Sequence, residues 1–277
     1  MRYENAKAVK DFYDSYVLDE WSRIDSRPEF FLTCRMLERY IKPADTVFDI
    51  GGGPGRYSIY LAKKGCAVTL LDLSPENVSF AKGKAAEEGL SIKALVGDVR
   101  EAPKLVQGVF DHVLLMGPLY HLLEEKDRIL AVESALSFLK PGGLLFASFI
   151  SMSGGIVYAM AKKPELVAIT DVKSNHPDKG FFIKYREDFL AGRSFAGDSF
   201  TKSFFIDPKE ILPFMSGFPL EKLHLFSQEG ILSPCEANIM TQPPEVVNAW
   251  LNFCEEIWER EDFFSWAEHL MYVGRKH

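Results

Sequence analysis

The residues best equipped for chemistry follow an apolar run: Asp49-Ile50-Gly51-Gly52-Gly53-Pro54-Gly55-Arg56 sets an acid ahead of glycines at every second position. Glycine lets the backbone turn sharply and approach a ligand closely. The helix that must follow points its first N–H groups and its dipole at that ligand. A dinucleotide fingerprint counted from Gly51 and Gly53 needs glycine at position 56 and meets Arg56. The acid precedes the turn, where it repels a diphosphate and attracts a cation. The expected ligand is therefore nucleotide-like, with positive charge in place of phosphate.

Further candidates stand at later strand ends. Asp72 lies about 20 residues beyond the turn, where nucleotide folds place a ribose-binding acid. Asp98, in Gly97-Asp98-Val99, is placed to accept a hydrogen bond from an adenine amino group. Tyr120 and His121 sit in Gly117-Pro118-Leu119-Tyr120-His121-Leu122. His121 titrates near neutrality when unperturbed and is the candidate general base; support of a lid or helix start by hydrogen bonding is the alternative. Arg56 reads either as a solvated or helix-pairing charge.

Alternating elements must hold these positions. Residues 46–50 read as a buried strand, 57–64 as a helix stopped by Gly65, and 67–71 as a strand ending in Asp72. Ser74 with Pro75 starts a helix that Gly89 ends, and 92–96 and 110–116 are strands. A helix over 124–140, ended by Pro141-Gly142-Gly143, leads to a strand at 144–150. This alternation implies an open, mostly parallel sheet with its ligand at the carboxyl ends of the strands. A helix is expected at 156–163, and a turn cluster at 174–180 separates it from segments rich in aromatic residues. Strands are then expected at 203–206, 220–226 and 269–273, with a helix from Asp207 and another over 244–260 whose stripe is Val247, Leu251, Cys254 and Trp258. Residues 1–41 read as helices, broken at Asp25-Ser26-Arg27-Pro28.

With 277 residues, the chain needs no more than one large α/β unit and a cap. A net charge of −7 without a Lys/Arg-rich run argues against a polyanionic partner. Four dispersed cysteines fit a reducing cytoplasm and neither a zinc site nor a disulfide framework. Residues 141–161 are uncharged, yet their glycines and serines suit a buried strand and a turn into a helix rather than a membrane span.

From about Ala44 onward the chain resembles the class I S-adenosylmethionine-dependent methyltransferases, through the glycine turn with Asp49, Asp72, Gly97-Asp98 and the 117–122 segment. The last is typical of a bacterial small-molecule branch. The resemblance implies an α/β, Rossmann-like seven-stranded sheet in the order 3-2-1-4-5-7-6, mostly parallel with the last strand antiparallel, with helices on both faces and a helical, aromatic cap. It divides the chain into a cap at 1–43, a cofactor-binding core at 44–150, an insertion at 151–200 and the rest of the core sheet at 201–277.

The implied cofactor is S-adenosyl-L-methionine, with S-adenosyl-L-homocysteine as product. Asp49, Gly51 and Gly53 would line its methionine part, in a turn that also supplies Gly52 and Gly55. Asp72 would bind the ribose hydroxyls, Leu73 would pack on adenine, Asp98 and Val99 would meet its edge, and Met116 would lie beneath. Tyr13, Tyr16 and Trp21 of the cap and Tyr185 of the insertion are the expected lid or substrate-facing residues, with core packing as the alternative. The insertion reads equally as a substrate wall, a surface elaboration or a dimer contact.

The fourth strand ends in Met116-Gly117-Pro118, not in the Asn/Asp-Pro-Pro-aromatic motif of amino-group DNA methyltransferases, so no nucleic acid is expected as acceptor. No acid stands where metal-dependent catechol-type enzymes need a ligand, and no metal is expected. The expected activity is methyl transfer to an O, N or C nucleophile of a small molecule, by a cytoplasmic monomer or homodimer without membrane attachment. A catalytically silent S-adenosylmethionine-binding module or sensor is the second reading. A nicotinamide oxidoreductase is the third and lacks its fingerprint glycine.

Overall fold

The computed structural model describes residues 4–24, 27–169 and 177–277. Asp25, Ser26 and the 174–176 part of the expected turn cluster lie outside the described residues. In chain order the strands are Thr46–Ile50 (β1), Ala67–Asp72 (β2), Lys93–Val96 (β3), Phe110–Leu115 (β4), Leu139–Ile150 (β5), Phe195–Asp198 (β6), Lys202–Phe205 (β7), Leu220–Ser227 (β8) and His269–Lys276 (β9). The helices preceding β5 are Glu4–Ser15 (α1), Val17–Ile24 (α2), Pro28–Tyr40 (α3), Arg56–Lys63 (α4), Pro75–Glu87 (α5), Ala102–Leu105 (α6) and Glu125–Ser137 (α7). After β5 come Met152–Lys162 (α8), Lys179–Leu190 (α9), Pro208–Met215 (α10), Glu236–Ile239 (α11) and Pro244–Ile257 (α12).

The main sheet runs β3-β2-β1-β4-β5-β9-β8, which is 3-2-1-4-5-7-6 once the separate β6-β7 hairpin is set aside. Pairing is parallel from β3 through β5, and β9 is antiparallel to both its neighbours. β1 is an inner strand between β2 and β4, so both its faces are covered and its apolar residues alternate between two cores. Phe48 and Ile50 join Leu115, Leu145 and Tyr272 on one face; Val47 joins Leu114, Phe146 and Met271 on the other. Leu37 of α3, Leu61 of α4 and Leu251, Cys254 and Trp258 from α12 and its end cover the second face. The expected α12 stripe is buried at those last three positions.

Two local expectations change. The helix expected over 124–140 ends at Ser137, and Leu139 already pairs with Phe110, so the Pro-Gly-Gly segment forms an irregular start to β5 rather than a helix stop. The strand expected at 203–206 has an antiparallel partner, β6, for which the sequence offered no separate signal. Among the described residues no helix is long and apolar enough to cross a membrane, and the uncharged 141–161 stretch divides between β5 and α8. The insertion builds a small core of its own from Met152, Tyr185, Phe195 and Phe205.

Phe48 is fully buried between Phe110, stacked at 5.0 Å, and Phe138, edge-on at 4.9 Å. Phe48→Ala should cost about 3–5 kcal/mol, read from the shift of a urea unfolding curve.

Candidate functional site

The carboxyl end of β1 becomes a turn because its glycines adopt backbone angles that other residues resist. Gly51 has φ +74°, and a side chain there would also meet the Pro118 ring at 2.5 Å. Gly55 has φ +87° and caps α4, where a Cβ would press on Ala81 of α5 at 2.9 Å. Gly55 thus serves helix packing, outside the cavity wall that Gly51, Gly52 and Gly53 help form. That cavity, of about 370 Å³, lies over the turn at the ends of β1, β2, β3 and β4, and α1 and α2 supply its facing wall.

Asp49 is carried beneath the turn by β1. Its Oδ2 accepts the Ser58 hydroxyl at 2.7 Å, while Oδ1 has no partner. Burial pushes the carboxyl up to about 7. Asp72, at the end of β2, accepts the Gly53 N–H at 2.8 Å on Oδ2, and the Ser74 N–H at 2.9 Å and Asn77 Nδ2 at 3.2 Å on Oδ1. Burial still raises it above the usual carboxylate range. Asn77 Oδ1 and Tyr57 Oη, like Asp49 Oδ1, are buried without a hydrogen-bond partner, and all three residues line the cavity. Buried polar atoms are nearly always paired, so three orphans around one cavity mark where a ligand's polar groups belong.

Leu73, Asp98, Val99 and Met116 also line the cavity. The Asp98 carboxylate is clamped by Arg100, through Nε at 2.9 Å and Nη2 at 2.6 Å, and Arg100 reaches Asp127 at 2.9 Å. A ligand amino group at Asp98 must therefore share oxygens that Arg100 already uses.

Tyr13, Tyr120 and His121 form the wall beside the β4 exit. His121 Nδ1 lies 3.0 Å from the Lys202 carbonyl, which fixes the proton on Nδ1 and leaves Nε2 as an acceptor for the Tyr13 hydroxyl at 2.9 Å. Burial lowers the imidazole to about 4, so the ring is neutral near pH 7. The hydrogen-bonding role is thus built, and a proton on Nε2 would displace the Tyr13 hydrogen bond.

The other expected lid aromatics lie elsewhere. Tyr16 is 39% exposed and stacks on Phe12 at 5.1 Å. Trp21 packs on Phe80 and lies 3.5 Å beneath the Arg56 guanidinium, which also donates to the Trp21 carbonyl. Tyr185 is buried in the insertion, its hydroxyl donating to the Met152 carbonyl. Those three placements correct a substrate-facing assignment: none of the three lines the cavity, and each ring has packing partners of its own. No described residue of the insertion lines the cavity.

Arg23, Glu29, Ser148 and Gln228 line the cavity without having been singled out by the sequence. Arg23 donates twice to Glu20, at 2.9 Å each, and once to Glu29 at 3.0 Å. Burial opposes ionisation of Glu29, but Arg23 and His269 outweigh it and hold Glu29 at about 2. Burial likewise disfavours the His269 cation, yet Glu29 and Glu229 raise it to about 9, with Nδ1 donating to Glu229 at 2.6 Å. Glu29, Glu229 and His269 place metal-type ligand atoms within 4.8 Å of one another, but here they form an alternating ion-pair chain with Arg23.

The family model described as a methyltransferase domain matches residues 47–143. That span runs from β1 into β5 and takes in the glycine turn, Asp72, Asp98 and the 117–122 segment. Over 143 residues the chain is 31% identical to a ubiquinone biosynthesis O-methyltransferase of Xanthomonas campestris pv. campestris, covering 52% of this chain and 59% of that protein. The magnesium protoporphyrin IX methyltransferase of Synechocystis PCC 6803, solved with S-adenosylhomocysteine, superposes with a TM-score of 0.58 at 14% identity, covering 99% of this chain and 100% of that one. The 1,6-didemethyltoxoflavin-N1-methyltransferase of Burkholderia thailandensis also gives a TM-score of 0.58, at 16% identity, over 99% of this methyltransferase-fold chain and 89% of its own. These two likenesses are of fold.

Burial of Asp49 has a pH signature in the free protein. An unfolded Asp titrates near about 4, so between there and the folded value of about 7 the native state holds a proton that the unfolded state has lost. Stability contributed at this site falls as pH rises through that window and is level above it. Asp49→Asn should therefore gain thermal stability relative to wild type at about pH 8 and lose that advantage at about pH 4, measured by melting across that range.

Proposed function

We propose that the protein transfers a methyl group from S-adenosyl-L-methionine to an O, N or C nucleophile of a small molecule. The observation that carries this reading is the unpartnered oxygen of Asp49, a residue lining a cavity beside a glycine turn that carries an acid where a phosphate site would not. A ligand with a sulfonium, an amino group and no phosphate fits that charge. The names of the Xanthomonas relative and of the two structural neighbours support the same chemistry.

In this reading Asp49 and the Gly51–Gly53 turn hold the amino-acid end of the cofactor, Asp72 its ribose, Leu73 its adenine face, and Asp98 with Val99 the adenine edge, while Met116 lies beneath. When bound, S-adenosylmethionine supplies a methyl group already activated on sulfur. What remains for the chain is alignment and exclusion of water. Val9, Tyr13, Ile24 and Tyr120 border the cavity and reduce access of water. Tyr13 donates its own proton to His121 and so keeps lone pairs free to accept a hydrogen bond from a hydroxyl or amine on the acceptor. The pair orients the nucleophile, and His121, neutral and already bonded, is a poor store for its proton. Cover by α1 and α2 favours transfer over a silent binding module, which carries out no displacement that water could intercept.

Calorimetric titration with S-adenosylmethionine and S-adenosylhomocysteine tests the reading. Wild type should bind both, and Asp72→Ala should bind each about 10–100-fold more weakly, as expected for loss of a charged hydrogen bond. Affinity should rise with pH toward about 7 and level off above, because the cationic amino group needs Asp49 ionised. A folded wild type that binds neither ligand overturns the proposal.

A further inference from the structure

Tyr13 and Asp14 are neighbours on α1, yet they bond to opposite sides of the cleft. On the β4 side, the Tyr13 hydroxyl donates to His121 Nε2 at 2.9 Å. On the β2 side, Asp14 Oδ1 accepts the Ser74 hydroxyl at 2.5 Å. Ser74 in turn donates its N–H to Asp72 at 2.9 Å, and Asp72 accepts the Gly53 N–H at 2.8 Å. A continuous path therefore runs from the glycine turn through Asp72, Ser74 and α1 to His121 and the Lys202 carbonyl.

The attachment matters because α1 depends on it. The helix has 12 residues, a length at which an isolated helix is marginal in water, so tertiary contacts decide where it sits. Its other anchors include the Asp14 carboxylate's bond with the Glu76 backbone, the buried Ala6 and Val9, and the contact of Phe12 with Phe200 at 5.7 Å. A hydroxyl-to-carboxylate bond is among the stronger kinds available to it. The Lys10–Asp14 and Lys7–Asp11 pairs lie within the helix and fix no position relative to the core.

Resting on the cofactor reading above, we propose that Asp14 is a positioning residue that couples the cofactor half of the cleft to the acceptor half. A ligand engaging Asp72 steadies the 72–74 segment, Ser74 holds Asp14, and Asp14 sets α1 so that Tyr13 meets His121. The acceptor wall is thereby held more firmly once the cofactor is in place.

Amide hydrogen exchange with S-adenosylhomocysteine as probe tests this. In wild type the ligand should slow exchange at residues 51–55, in α1 and at 117–122. Asp14→Ala should keep the slowing at 51–55 and lose it in α1 and at 117–122. Asp14→Asn, whose amide oxygen accepts the same bond from Ser74, should restore it. Asp11→Ala, which disturbs an exposed pair on the same helix, should match wild type. Equal slowing of α1 in wild type and Asp14→Ala, or no restoration by Asn, overturns the coupling. A folded wild type with no slowing at 51–55 removes the cofactor reading itself, and the coupling with it.

Discussion

A carboxylate with a single hydrogen-bond donor, carried into the interior at the centre of the sheet, is the constraint to which the surrounding structure answers. Burying a charge is costly unless it is paired, and Asp49 has Ser58 on one oxygen and nothing on the other. Gly52 must lack a side chain because a Cβ would lie 2.6 Å from that carboxylate, and Gly51 because one would strike Pro118. The turn, the start of α4 and the β4 exit are thus fitted around one acid. In the free protein burial favours the protonated carboxyl up to about pH 7. On the proposed reading a cationic ligand group would favour the ionised form instead.

The facing wall has a different logic. Arg23, Glu29, His269 and Glu229 alternate in sign from α2 through α3 to the ends of β8 and β9, and Arg27 adds ties to Glu236 and Glu268 at 2.9 Å each. Buried ion pairs add little net stability over apolar packing, but removing one partner strands the other at high cost. Such a chain therefore contributes register more than strength. It fixes where α2 and α3 lie over the sheet, and so which residues of the cap face the cavity.

The central sheet and the residues at its strand ends were readable in the sequence because both rest on local signals. Strand runs, a glycine turn and acids at strand ends keep their meaning without tertiary information, so Asp49, Asp72, Leu73 and Met116 all reach the cavity. The cap was less readable. Aromatic residues at helical spacing announce burial without saying against what, and Tyr16, Trp21 and Tyr185 found partners in Phe12, Arg56 and the insertion core instead. Arg23 and Glu29 were invisible because their meaning depends on His269, which is distant in sequence. The β6 strand escaped because Phe195-Ala196-Gly197-Asp198 has little β-propensity beyond its first residue and is held by pairing with β7.

The two halves of the site also differ in how they are built. The half around the glycine turn is backbone and short side chains on a rigid sheet, with Asp72 fully engaged by Gly53, Ser74 and Asn77 and one oxygen of Asp49 left over. The acceptor half is assembled from elements far apart in sequence: Tyr13 on α1, His121 after β4, and the Lys202 carbonyl on β7 that fixes the ring's tautomer. A wall made this way holds its shape only when all its parts are docked. On the proposed reading the acceptor is met by Tyr13 of α1 and by Tyr120 and His121 after β4, with the β6-β7 hairpin acting on it only through the Lys202 carbonyl, while the glycine turn and Asp49 belong to the other side of the cavity. The physical division between a floor built on one sheet and a wall assembled from distant elements is the division that the proposal draws between cofactor and acceptor.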